Sequence, residues 1–231
     1  MAMIRQSLNA LLALALCLPL LVSCASTTTA SVPLGCDQAS SPCLQGKAAV
    51  ELTTSKGSIT LELDGDAAPV TAGNFLDLVK RGAYNGTVFH RVVREPVPFV
   101  VQGGDPASSD PATPKSQYGT GSFVDPTTGQ ARFLPLELSF KGEDQPRYSR
   151  VVSNPTELLK LKLTHERGAL AMARSQAPDS ASAQFYIALK PLPELDGRYA
   201  VFGRVTDGLD VVDAIRQDDI IEKAMVTTPG L

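Results

Sequence analysis

Residues 87–106 read TVFHRVVREPVPFVVQGGDP, and the rest of the chain is organised around this stretch. Two short apolar runs bracket a loop that contains prolines and end in a Gly-Gly-Asp-Pro turn, which predicts a strand, a connection, a second strand and a sharp turn. Because side chains alternate along a strand, we expect Phe89 and Arg91 to share one face of the first strand. Phe99 and Val101 should likewise share a face of the second. An arginine on the same surface as aromatic rings indicates a binding site.

Four blocks of this chain resemble the signature of the cyclophilins, a family of peptidyl-prolyl cis/trans isomerases. The similarity covers roughly residue 48 to the C-terminus, and the blocks stand in the family's order. They are FHR and FVVQGGD within residues 87–106, then GALAMA at 168–173, SAQFYI at 182–187 and LDGRYAVFGRV at 195–205.

The domain spanning residues 48–231 combines many short strand patterns with two long helical ones. The first helical pattern opens at Pro69, and the second contains Leu209. This mixture predicts a mainly β fold with a closed antiparallel barrel, capped by two α-helices. The cyclophilin resemblance implies that the barrel has eight strands.

An insertion of loop and helix is expected at about residues 106–166. Its first part is crowded with Pro, Gly, Ser and Thr and predicts a long ordered loop. Asn154 and Pro155 then supply an N-cap and a first helical residue, which favours a helix, although residues 159–163 also alternate as a strand would. The insertion resembles that of the longer cyclophilins of cyanobacteria and thylakoid lumens.

The chemistry of an X-Pro bond sets what a site must provide. The bond isomerises over a barrier of about 18–20 kcal/mol, because the amide loses resonance when it is twisted. Catalysis needs an apolar slot for the proline ring, fixed donors, and a cation near the prolyl nitrogen. Neither a nucleophile nor a metal is required, so no cofactor is expected. Arg91 suits the role of the cation, since a guanidinium stays protonated and donates in a rigid fork.

The resemblance assigns catalytic roles to Arg91 and Gln102. It assigns substrate binding to Phe99, Val100, Ala173, Arg174, Gln184, Tyr186, Glu194, Leu195 and Tyr199. Three of these positions depart from the best-known pattern, in which Trp, His and Asn are common in place of Glu194, Tyr199 and Arg174, respectively. The departures bear on substrate preference more than on the core chemistry.

The two histidines are not assigned to the site. His90 alternates to the strand face opposite Arg91, which favours a structural, hydrogen-bonded histidine. His165 is given no role.

The N-terminal segment is predicted to be an export signal. Residues 8–22 are almost wholly apolar but shorter than the roughly 20 residues that a spanning helix needs. Residues 21–24 read LVSC and resemble the bacterial lipobox, which implies a signal peptide at 1–23 and a lipidated Cys24. A plain signal peptide that happens to contain a cysteine is the alternative.

A Ser/Thr-rich tether is expected over residues 24–47, since this stretch has no apolar periodicity. Cys36 and Cys43 lie within it, and in an exported protein a local disulfide between them is favoured. A metal or redox pair is the alternative, but their spacing is not Cys-x-x-Cys.

The charge of the chain limits its partners. A formal net charge of −3 with no basic run argues against nucleic acid. The cyclophilin resemblance implies proline-containing polypeptides as substrates, and the export signal with its lipobox implies a place outside the cytoplasm on a bacterial membrane. Nothing in the sequence calls for more than a monomer. Two functions remain open: an isomerase for exported proteins, or a non-catalytic chaperone or assembly factor that binds proline peptides.

Overall fold

The computed structural model describes residues 35–37, 39 and 41–227. Its main element is an eight-stranded antiparallel sheet in the order β10-β1-β2-β9-β7-β8-β4-β3. The strands of this sheet are β1 (Lys47–Thr54), β2 (Gly57–Asp64), β3 (Arg91–Val92), β4 (Val100–Gly103), β7 (Ala169–Met172), β8 (Phe185–Ala188), β9 (Val201–Asp207) and β10 (Ile221–Val226). A second sheet pairs β5 (Glu137–Leu138) with β6 (Arg147–Tyr148), and the α-helices are α1 (Pro69–Lys80), α2 (Pro155–Leu158) and α3 (Leu209–Ala214).

The main sheet is curled, but its two edges are not joined by a strand pair. The structure therefore does not show the closed barrel that the sequence predicts. The edge strands, β3 and β10, do not pair with each other. The chain just before each edge strand does meet across the gap, where Val88 and Ile220 form an isolated antiparallel bridge. The amides of Phe89 and Ile221 donate to the carbonyls of Asp219 and Thr87 there, each over 2.8 Å.

The β1–β2 hairpin follows the alternation of its sequence. Val50 and Leu52 point inward from β1, and Ile59 and Leu61 point inward from β2; all four are fully buried. The turn between the strands requires Gly57, whose φ of +132° is one that L side chains rarely adopt. The hairpin therefore supplies one wall of the main core.

Helix α1 packs its apolar face into that core. Phe75 of this helix contacts the rings of Tyr84, Phe185 and Phe202, with centroids 4.9–5.3 Å apart. No local side chain caps the start of the helix; instead the buried carboxylate of Glu137 accepts from the amides of residues 70 and 71 at 3.1 and 2.8 Å. A residue of the insertion thus satisfies donors that every helix leaves free.

The insertion is mostly irregular, and its predicted helix is a single turn. Asn154 caps α2 by accepting from the amide of Thr156, as its sequence indicates, but the helix ends at Leu158. Leu161 then bridges to Phe140 as a strand residue would. The segment therefore forms first a helical turn and then a strand-like bridge, so the helix and the strand alternatives each describe a part of it.

The tether prediction is wrong for its last residues. Leu44 is 4% exposed, its amide donates to the carbonyl of Pro69 over 3.0 Å, and Cys43 packs against the main core. The close approach requires Gly73 in α1, where a Cβ would lie 2.1 Å from the carbonyl oxygen of Pro42. The folded unit therefore begins before residue 48. Cys24 and the predicted signal peptide lie outside the described residues.

A disulfide joins Cys36 to Cys43. Within the described part of the chain, no helix has the length and apolar character to cross a membrane.

Candidate active site

A pocket of about 210 Å³ lies where β3, β4 and β8 meet the loops that follow β7 and precede β9. Its floor belongs to a small apolar cluster that is separate from the main core and includes Val100, Tyr186 and Val201. Nine of the eleven residues that the resemblance selected line this pocket: Arg91, Phe99, Val100, Gln102, Ala173, Arg174, Tyr186, Leu195 and Tyr199.

Arg91 lies at the mouth of the pocket. Its guanidinium carbon is 5.7 Å from the centroid of the Phe99 ring, and its Nη1 atom donates to Gln102 Oε1 over 3.4 Å. Gln102 in turn donates to Gln184 Oε1 over 3.2 Å, and Gln184 donates to the carbonyl of Gly121 over 2.9 Å. Among the ion pairs of the described residues none involves Arg91, so amides hold its charge in place without neutralising it.

The Gly-Gly-Asp turn supports this chain of amides. Asp105 is fully buried, and its carboxylate accepts from the backbone amides of Ala107, Gly119 and Gly121 at 2.9, 2.6 and 3.1 Å. A Cβ on Gly121 would lie 2.1 Å from Asp105 Oδ1, so only glycine fits there. The turn thereby fixes the loop whose carbonyl orients Gln184.

Alternation fails at the edges of the two strands. Phe89 is fully buried in the main core, whereas Arg91 is exposed, so they do not share a surface. Val101 belongs to the main core and Phe99 to the small cluster beneath the pocket. The reason is that β3 and β4 begin at Arg91 and Val100, and the residues just before them are not in strand conformation.

A second pocket, of about 350 Å³, adjoins the first and shares Gln102, Ala173 and Arg174 with it. Gln184 lines this second pocket, as does Phe133, a residue that is 52% exposed. The two pockets together offer room for more than one residue of a bound peptide. A larger pocket of about 480 Å³, on β1, β2 and β9, contains none of the predicted site residues.

Two of the positions that depart from the family pattern contact each other. The guanidinium carbon of Arg174 is 4.7 Å from the centroid of the Tyr199 ring, and its Nε atom donates to the carbonyl of Arg198 over 2.8 Å. Nη1 of Arg174 donates to carbonyls of its own loop, at Ser175 and Gln176. Arg174 therefore ties together the two loops that form one side of the site. Glu194, the third departure, is exposed and lines neither pocket.

The two histidines lie in different surroundings. Both ring nitrogens of His90 are buried, and within the described chain neither has a partner at full hydrogen-bond geometry. Val88 and Gln184 still act on the imidazole as hydrogen-bond partners, so the hydrogen-bonded role stays a prediction. Burial lowers the pKa of its imidazole below the usual value. His165, given no role from sequence, is buried behind the pocket and contacts Tyr186 and Asp196. Its place between β8 and the residue Asp196 depends on contacts between distant parts of the chain, which the sequence does not display.

Known proteins that resemble this chain identify its family. The sequence model of the family described as "Cyclophilin type peptidyl-prolyl cis-trans isomerase/CLD" matches residues 49–229. A putative thylakoid lumen peptidyl-prolyl cis-trans isomerase of Synechocystis is 39% identical over 195 residues, covering 80% of this chain and 48% of the relative. A peptidyl-prolyl cis-trans isomerase of Helicobacter pylori is 37% identical over 182 residues, covering 78% of this chain and 87% of the relative.

A solved structure of similar fold is a Cryptosporidium parvum cyclophilin type isomerase, crystallised in the presence of the dipeptide Ala-Pro. It has a TM-score of 0.57 and 25% sequence identity, and the match covers 78% of this chain and 99% of that one. The chain spans about half the length of the Synechocystis relative and of a chloroplastic isomerase of Arabidopsis thaliana, of which it covers 44%.

Proposed function

The chain belongs to the cyclophilin-type peptidyl-prolyl cis-trans isomerase family, and from this premise we propose that it accelerates the isomerisation of X-Pro bonds in exported polypeptides. The observation that carries the proposal is the position of Arg91. Its guanidinium stands over Phe99 at the mouth of the pocket and is oriented by Gln102, while no carboxylate among the described ion pairs neutralises it.

The proposed mechanism is non-covalent. The proline ring enters the apolar slot between Phe99 and Tyr186, and the peptide bond next to it twists out of its plane. Twisting removes the conjugation of the prolyl nitrogen, whose lone pair can then accept a hydrogen bond. Arg91 donates that bond more strongly to the twisted amide than to the planar cis and trans forms. It therefore stabilises the transition state more than the ground state and lowers the barrier.

The amide chain behind Arg91 suits this task. A carboxylate partner would compensate the guanidinium charge before the substrate arrives, whereas Gln102 Oε1 orients one N–H and leaves the charge available. The same Gln102 is tied through Gln184 to the loop that Asp105 holds. The orientation of the arginine therefore depends on a buried carboxylate remote from the reacting bond.

A second candidate function is peptide binding without catalysis. The adjoining pocket, with its exposed Phe133, favours an extended hold on the segment next to the proline, which a chaperone would also use. Such a protein needs the slot but gains nothing from a cation beside the prolyl nitrogen. The position of Arg91 therefore favours catalysis.

The experiment that separates these functions is exchange spectroscopy by NMR on a short peptide with one X-Pro bond. Substoichiometric protein should produce cis/trans exchange peaks within seconds, because the uncatalysed exchange takes tens of seconds or more. Line broadening by binding, without exchange between the cis and trans signals, would favour the chaperone.

We also place the protein outside the cytoplasm. Two of its relatives are named for the thylakoid lumen and the chloroplast, and residues 1–23 have the pattern of an export signal. Residues 21–24 support a lipid on Cys24, which would hold the domain at a membrane surface. Its substrates would then be proline-containing segments of polypeptides that fold at that surface. The protein would bind them as a monomer.

A further inference from the structure

A buried chain of polar side chains runs behind the slot. Tyr186 Oη is 2.9 Å from His165 Nε2, and His165 Nδ1 is 2.7 Å from Asp196 Oδ1. The His165 side chain is fully buried, that of Asp196 is 13% exposed, and Tyr186 is 5% exposed. The rings of His165 and Tyr186 also stack, with centroids 5.9 Å apart and planes 11° from parallel. The Asp196–His165–Tyr186 chain is not part of the chemistry proposed for Arg91.

The direction of the hydrogen bonds follows from the donors available. A carboxylate can only accept, so Nδ1 of His165 carries a proton toward Asp196. In the neutral imidazole Nε2 is then an acceptor, and the Tyr186 hydroxyl donates to it. Burial raises the pKa of that hydroxyl well above its usual value, which keeps it protonated as a donor. Both ring nitrogens of His165 and the Tyr186 hydroxyl therefore have their partners within the chain.

This chain joins two walls of the slot that the sheet does not join. Tyr186 lies on β8 and forms the floor, while Asp196 follows a 3-10 turn (Pro193–Leu195) whose Leu195 lines the rim. His165 holds the same turn through its backbone: its amide donates to Asp196 Oδ1 over 2.9 Å, and its carbonyl accepts from the amide of Leu192 over 2.8 Å. One buried imidazole is thus bonded both to the floor and to the residue that follows the turn at the rim.

We propose that His165 and Asp196 are positioning residues that fix the width of the proline slot by holding the turn at Leu195 against Tyr186. The inference rests on the proposed function, since it names what prepares that site for the proline ring. Tyr186 pairs with Gln102 through the backbones of β8 and β4, but no side-chain hydrogen bond among the described residues links the Asp196–His165–Tyr186 chain to Arg91 or the two glutamines. We therefore expect it to act on substrate binding more than on the chemical step. Loss of the chain should therefore raise KM and the peptide Kd while kcat stays within about twofold.

Three variants test the chain. Tyr186→Phe keeps the ring in the slot and removes the hydroxyl. Asp196→Ala removes the acceptor at the other end, and Asp196→Asn restores an acceptor oxygen of the same shape. We expect Tyr186→Phe, which removes one buried hydrogen bond, to raise the Kd of a proline peptide about fivefold. Asp196→Ala removes the two bonds that His165 donates and should raise Kd at least as much. Asp196→Asn should recover most of the affinity.

The double variant tests whether Tyr186 and Asp196 act through one connected hydrogen-bond chain or as two independent contacts. If the three residues act as a unit, Tyr186→Phe combined with Asp196→Ala should bind the peptide no more weakly than the worse single variant. Tyr84→Phe is the matched control, because Tyr84 is buried and its hydroxyl bonds the carbonyl of Ala183 over 2.9 Å, in the main core and away from the slot. It should lower thermal stability and leave Kd unchanged.

Titration of Kd by NMR and measurement of kcat and KM on the same peptide complete the test. Additive effects in the double variant, no recovery in Asp196→Asn, or a loss confined to kcat would each overturn the positioning role. Peptide Kd is measured without turnover, so it tests the positioning role separately from catalysis. A wild-type protein that binds the peptide but does not isomerise it would refute the proposed function, while the Kd values of the variants would still decide whether His165 and Asp196 fix the slot.

Discussion

Arg91 stands opposite Gln102 across the β3–β4 pair, with Nη1 3.4 Å from the amide oxygen of Gln102. The partner of this arginine is therefore neutral, and the guanidinium keeps its charge for whatever enters the pocket.

Gln102→Glu should suppress isomerisation while leaving the fold intact. The new carboxylate would pair with Arg91 and compensate its charge before the twisted amide needs it, so kcat/KM should fall by at least about tenfold. Gln102→Ala removes the orienting oxygen without adding charge and should lose less. Activity of Gln102→Glu equal to that of the wild type would show that the charge of Arg91 is not used.

His90 should make stability depend on pH. The unfolded chain binds a proton at this imidazole near pH 6.5, whereas the folded chain binds it only at a lower pH, because burial lowers the folded pKa. The unfolded state thus holds more protons in that interval, and the free energy of unfolding should fall as the pH drops below about 6.5. Denaturant midpoints measured at several pH values would show the slope.

His90→Gln is the control for that slope. It cannot titrate, so the variant should lose less stability than the wild type on acidification from neutral pH to about 5. Identical slopes in the two proteins would assign the acid sensitivity to other groups.

Leu44→Ala should destabilise the domain although residue 44 precedes the first strand. Its side chain is buried against the core, and truncating a buried leucine costs about 2–5 kcal/mol. Leu159→Ala offers a matched control, since Leu159 is 82% exposed and should be nearly neutral. Thermal unfolding of both variants measures the difference; equal midpoints would mean that the segment before β1 contributes no packing.

Cys24→Ala should release the mature protein from membranes. The proposal rests on residues 21–24, since a lipid attached there would be the anchor. Mass spectrometry of the mature N-terminus and fractionation of cells measure the two consequences. A mature protein that begins elsewhere, without lipid, would favour the plain signal peptide.

The sequence was most informative where local pattern and burial coincide. Alternation in the β1–β2 hairpin predicts which residues face the core, because both strands are long enough for the two-residue period to hold. The pocket residues were selected by family resemblance, since Phe99 and Tyr186 taken alone would be read as core packing. The structure brings nine of them together, and their roles stay predictions.

The failures share a physical cause: they depend on contacts between distant parts of the chain. Phe89 and Arg91 were expected on one face, but β3 is only two residues long and alternation does not extend beyond it. The sequence predicts a tether at Leu44 because no local pattern shows that Gly73 leaves room for the backbone of residue 44. His165 gains its place only when β8 and the turn before Asp196 meet around it.

The most direct test of the central claim is the kcat/KM of Arg91→Ala on an X-Pro peptide, measured beside Arg91→Lys and Arg204→Ala. Arg204 is a control because its side chain is 64% exposed and pairs with Glu62, in the larger pocket away from the site. We predict a loss of at least about tenfold for Arg91→Ala, or about 1.4 kcal/mol of transition-state stabilisation, a smaller loss for Arg91→Lys and none for Arg204→Ala. Wild-type kcat/KM in a correctly folded Arg91→Ala variant would contradict the account.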